Sequence, residues 1–125
     1  MIIEISNGEL VDKVSILDIK LQKVTSKEKL KNIEAEYSYL KEKMEFIGIT
    51  DQSTEYKELL EVNLMIWNLE EQVRNKERDK IIDNNFVDLV KSIHLNNDRR
   101  TKLKRQINKK TNSLFTEEKE LPNYE

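Results

Sequence analysis

Beginning at Leu10, apolar residues recur as Leu10, Val14, Leu17, Leu21 and Val24, at steps of four, three, four and three. That spacing lines one face of an α-helix and does not suit the two-residue alternation of a strand. A second run repeats it with Leu30, Ile33, Tyr37, Leu40, Met44 and Ile47. A third carries Leu59, Val62, Ile66, Leu69 and Val73, with a neighbouring row at Tyr56, Leu60, Leu64 and Trp67. The fourth holds Phe86, Leu89, Val90, Ile93, Leu103 and Ile107. Only two glycines and one proline punctuate the 125 residues, too few for a turn-rich β-sandwich or a Gly-rich phosphate loop. The expected fold is all-α, an antiparallel three- or four-helix bundle with a long helical hairpin, in a single domain over 1–125. The tail from about residue 112 has little periodicity; it either packs through Leu114, Phe115 and Tyr124 or is loose.

Helix boundaries can be read from cap chemistry. Ser6 with Glu9, and Thr25 with Glu28, have the spacing of a capping box. Gly48 suits the position just beyond a helix, where positive φ is needed. The third helix is expected from Asp51 or Ser53 to about Lys80, and Asp83 is positioned to cap the fourth. The leading Met1 to Ile5 reads as a short strand or, better, as an extended lead packed on the first helix. The wide apolar face of the third helix points to a central place in the bundle. Ile16 and Ile19 lie opposite the first helix's main stripe, so that helix is either central too or covered by a second subunit. A homo-oligomer is therefore expected.

The absence of cysteine excludes a disulfide scaffold, a thiolate nucleophile and a zinc–thiolate site. No apolar stretch approaches the roughly 20 residues of a membrane span, and the start lacks a signal-peptide pattern, so a soluble cytoplasmic protein without membrane partners is expected. His94 is the only histidine and reads as a helix-surface or packing residue rather than a base. Glu55, Glu58 and Glu61 have a carboxylate spacing found in some magnesium sites, but the second pair such a site needs is missing. No cofactor or metal is expected. Whether the chain is an enzyme stays open.

The informative feature is polar chemistry at core positions. The stripe of the fourth helix continues from Phe86, Val90 and Ile93 into Asn97, Arg100 and Lys104. The third helix carries Asn63, Trp67, Glu70, Arg74 and Glu77 in one row. If both rows face inward, amides, carboxylates and guanidinium groups must pair with each other or with a ligand. Arg100 and Lys104 lie one turn apart and can converge on one anion, with Arg74 meeting them across the bundle. Lys13 and Lys20, with Asp12 and Asp18, offer a further wall from the first helix. Core-edge Arg and Lys also commonly send their charge to water, and Glu70–Arg74 has ordinary i,i+4 spacing. Both a site and a structural network remain open at this point. The run Arg99 to Lys110 holds seven cations in twelve residues, yet no aromatic is interleaved with it and the chain's net charge is −2, which counts against nucleic acid as the main ligand.

Three segments carry a resemblance: "GELVDKVSILDIKLQKV" (8–24), "NLMIWNLEEQVR" (63–74) and "NDRRTKLKRQIN" (97–108). Together they resemble a family of small uncharacterised bacterial and viral proteins, patterned G-E-L-x-D-K-x-x-I-L-E-I-K, N-x-x-L-W-x-x-E and N-D-x-R-x-x-L-K-R-x-I-N. Asp12, Lys13, Lys20, Asn63, Trp67, Glu70, Asn97, Arg100, Lys104 and Asn108 match it position by position. Asp18 stands where that family more usually has glutamate. The resemblance implies positions rather than an activity. It hints at a nucleotide-sugar or surface-polysaccharide context. A weaker likeness to helical chorismate mutases rests on cations carried by bundle helices.

Two functions are compatible with these residues. The first is a binder of a small phosphate- or carboxylate-bearing ligand, such as a nucleotide, nucleotide sugar or dicarboxylate. Arg100, Lys104 and Arg74 neutralise it, Asn63 and Asn97 orient it, Glu70 holds an arginine, Trp67 gives an apolar wall, and Lys13 and Lys20 join from the first helix. The alternative is a helical protein–protein interaction module with no small ligand.

Overall fold

The structure, a computed structural model, describes residues 1–115. It consists of four helices: α1 (Asn7–Lys23), α2 (Lys27–Phe46), α3 (Thr54–Arg78) and α4 (Asn84–Lys110). The part of the tail beyond Phe115, including Tyr124, lies outside the described residues.

Local chemistry sets the ends. Glu9 N–H donates to Ser6 Oγ (3.1 Å), but the Glu9 carboxylate turns to Lys104 instead of closing the capping box. The second cap is Ser26, one residue beyond the expected Thr25, and it accepts from Lys29 N–H. Asp83 caps α4 as expected, accepting from Phe86 N–H at 2.8 Å. At the end of α2, Gly48 takes φ +89°, Gly48 N–H bonds Glu45 O and Ile49 N–H bonds Met44 O. This is a Schellman termination, and buried Ile49 and Met44 supply its apolar contact. The same two bonds recur beyond α3, with Lys80 at φ 57°, and beyond α4, with Asn112 at φ 52°. Asparagine tolerates that conformation; lysine holds it against a steric cost.

Helices α1 and α2 pack as one antiparallel pair, and α3 with α4 forms the long hairpin. Its open end is joined by Lys110 to Glu55, and its closed end by Lys76 to Asp83 (3.0 Å). The hub is α1, which packs against α2, α3 and α4, whereas among the described residues α3 packs only on α1 and α4. This corrects the expectation that the wide face of α3 makes it central; α3 uses that width to meet two neighbours. Along α1, Gly8 meets Lys104 and Asn108 of α4, Asp12 meets Arg100 and Asn63, and Asp18 meets Tyr56 of α3. Both series descend in number, although α3 and α4 are antiparallel to each other. A straight helix cannot run along both, so α1 crosses the hairpin from α4 to α3 near its open end.

The core forms at that crossing. Val11, Val14, Met44, Ile49, Tyr56, Leu59, Val62, Ile66, Leu103 and Ile107 are buried together, with Tyr37, Leu40 and Ile47 of the second stripe packed against them. Ile19 is buried and Ile16 half-buried within the single chain, so α1 does not need a second subunit to cover it. The lead Met1 to Ile5 forms neither a strand nor a packed cover: Met1, Ile2 and Ile3 are exposed.

Candidate functional site

Close approach of α1 and α4 comes first, because the polar contacts between those two helices depend on it. Gly8 provides it: a Cβ there would drive into the backbone carbonyl of Lys104 and the side chain of Asn108. The first amides of α1 are then satisfied from the end of α4 and by the cap. Asn7 N–H donates to Ser113 Oγ (2.9 Å), Gly8 N–H to Asn108 Oδ1 (2.7 Å) and Glu9 N–H to Ser6 Oγ. The carboxyl-terminal dipole of α4 thus faces the amino-terminal dipole of α1. Asn108 is itself buried, and its Nδ2 finds no partner among the described residues.

One turn further along, Asp12 is 1 % exposed. Its two oxygens take the Arg100 guanidinium bidentately, Oδ1 from Nε at 2.9 Å and Oδ2 from Nη2 at 2.5 Å. Such a fork fixes direction as well as charge. Asn63 of α3 donates from Nδ2 to Asp12 Oδ1 (2.9 Å) and to Ser15 Oγ (2.8 Å), while the Ser15 hydroxyl donates to the Asp12 carbonyl (2.7 Å). Three helices are therefore tied through one carboxylate. Beside it, Lys104, almost wholly buried, pairs with Glu9 at 2.8 Å.

On the outer side of this seam lies a recess of about 250 Å³, lined by Glu9, Asp12, Lys13, Ile16, Leu17 and Lys20 of α1, Glu36 of α2 and Arg100 of α4. Ile16 and Leu17 give it an apolar component; the rest is charged. Further along α1, buried Tyr56 donates to Asp18 Oδ2 at 2.7 Å. Burial, and then the adjacent carboxylate, raise the Tyr56 hydroxyl above its ordinary value, so it stays a donor.

The nine expected site residues fall into two groups. Arg100, Lys104, Asn63, Lys13 and Lys20 come together around Asp12 and the recess. Trp67, Glu70, Arg74 and Asn97 do not. By helical spacing they continue the rows of Asn63 and Arg100 toward the closed end of the hairpin. Arg74, 74 % exposed, makes a 3.7 Å i,i+4 pair with Glu70, and Trp67 Nε1 donates to Glu71. The polar rows are continuous, but α1 is too short to cover both halves. The acid opposite Arg100 is Asp12, not Glu70. Glu9, Ser15 and Glu36 also belong to the site, and nothing at their own positions in the sequence marks them. Gly8 did carry a signal, since a glycine at a helix start with no turn to make implies close backbone approach. Among the described residues no group of His, Cys, Asp and Glu converges to hold a metal ion.

The fold and site define a small all-α protein whose helices are tied by a buried polar seam. The chain belongs to a family of unknown function (DUF6165), whose model matches residues 1–123. No curated protein and no solved structure matches it.

Proposed function

We propose that this chain binds a small anionic molecule, phosphate- or carboxylate-bearing, in the recess between α1, α2 and α4. The observation carrying this reading is the Asp12–Arg100 fork on the recess wall, with Lys13 and Lys20 lining the same cavity. The fork holds the guanidinium in place without a bound ligand, and preorganised charge binds at lower entropic cost. The volume lies below the roughly 300–1,000 Å³ of typical drug-sized pockets. A dicarboxylate or the phosphate end of a nucleotide is thus favoured over a whole nucleotide sugar. Neither catalysis nor a cofactor is part of the proposal.

Calorimetric titration with phosphate and glutarate tests it. The wild type should bind one of them saturably, and Lys13→Gln/Lys20→Gln should weaken that binding at least about tenfold, or roughly 1.4 kcal/mol, without changing the melting temperature. Absence of saturable binding by phosphate, glutarate and glutamate alike would reject the proposal.

A second reading has its own support. Beyond the α1 crossing, Trp67, Phe86, Val90 and Ile93 are only half-buried, and Ile81, Ile82 and Val87 are exposed. A surface of that kind suits a protein partner, and self-association of this cytoplasmic chain is the version we carry forward. Sedimentation velocity at increasing concentration tests it: a monomer throughout would end the homo-oligomer proposal. Among the described residues no helix is long and apolar enough to cross a membrane.

A further inference from the structure

The charges around the recess are not equally committed. Asp12 is taken by Arg100 and Asn63, and Glu9 by Lys104. Lys13, Lys20 and Glu36 line the same cavity, yet among the described residues none of the three enters an ion pair. The uncommitted set is therefore two ammonium groups and one carboxylate. Lys13 and Lys20 are seven residues apart on α1, which puts them on one stripe about 10 Å apart along the axis. Ile16 and Leu17 lie between them in sequence and line the cavity too. Glu36 is contributed by a different helix, α2.

A ligand that carries only negative charge satisfies the lysines but brings its charge close to Glu36. One carrying an ammonium group as well satisfies all three. We infer that the ligand of this recess is a small molecule with two negative charges and one ammonium group, whose negative charges are taken by Lys13 and Lys20 and whose ammonium is taken by Glu36. This inference rests on the proposed anion site and adds the class of molecule that fills it. Like charge opposing a bare dianion and unlike charge attracting the amine act together, so discrimination has both a repulsive and an attractive part.

Two matched pairs of probes isolate the amine: glutamate against glutarate, and phosphoethanolamine against ethyl phosphate. Titration of the full chain should show the amine-bearing member of at least one pair binding about tenfold tighter. Glu36→Gln should abolish that preference and leave the deaminated member bound as well as before or better. Glu36 is exposed, so the variant should fold, and an unchanged melting curve verifies it. If both members of each pair bind equally, with binding lost in Lys13→Gln/Lys20→Gln, the amine inference is overturned while the anion site stands. Tighter binding of the deaminated members overturns it in the same way. If no probe binds at millimolar concentration, the inference and the anion site fall together.

Discussion

Asp12 is the residue on which the seam depends. It is buried, charged, and held by Arg100 from α4 and Asn63 from α3. Arg100→Met leaves that carboxylate buried without its cation, and should cost about 3–5 kcal/mol in urea unfolding. Asp12→Leu/Arg100→Met removes both charges and should be more stable than Arg100→Met alone. A double variant as unstable as the single would mean that the pair is not coupled. For that reason Arg100 is a poor residue for probing ligand binding, and Lys13 and Lys20 are better. Gly8→Ala would force the Lys104 backbone away and should destabilise by about 1–3 kcal/mol or more, again read by urea unfolding. The sequence pointed to Arg100, Lys104 and Asn63, because polar groups on a core stripe must be paired. It did not point to Asp12 as the partner. Asp12 and Arg100 are 88 residues apart, and no local spacing reports which helix crosses which.

At the scale of the elements, the caps were the most legible part and the terminations less so. Ser6, Gly48 and Asp83 carry the residue types that their positions require. Lys80 does not, since its place in the Schellman turn is set by Lys76 and Ile81 forming their backbone bond, whatever its own side chain prefers. Lys80→Gly should relieve the left-handed conformation and raise stability by up to about 1 kcal/mol, part of the gain being lost to a more flexible unfolded chain. Asp83 makes the start of α4 pH-sensitive. Its hydrogen bond from Phe86 N–H, and then Lys76, hold its carboxyl below the usual carboxylate range. Its contribution to folding is complete above the unfolded value of about 4 and falls away as the pH drops through the lowered native one. Exchange of the Phe86 amide should accelerate across that acid window, and Asp83→Asn should flatten the dependence.

At the scale of the molecule, the hairpin is longer than the helix that crosses it. The half near Tyr56 and Ile107 shares the core with α1, while among the described residues the half near Trp67 and Phe86 has only its own two helices to pack. Hydrogen exchange should follow that division, with amides of Leu59, Val62 and Leu103 protected longer than those of Val73 and Val90. The all-α class and the long hairpin were legible because four apolar stripes keep one period. Which helix is the hub was not, since a wide apolar face is equally compatible with two neighbours and with three. The same gap in topology separated Trp67, Glu70, Arg74 and Asn97 from the residues they had seemed to join. Whether the recess beside Asp12 and Arg100 holds a ligand is decided by an amide-resolved NMR titration with phosphate, glutarate and glutamate. Saturable shifts should centre on Lys13, Ile16, Lys20, Glu36 and Arg100. Shifts that are absent, or that centre on Trp67, Arg74 and Phe86, would contradict it.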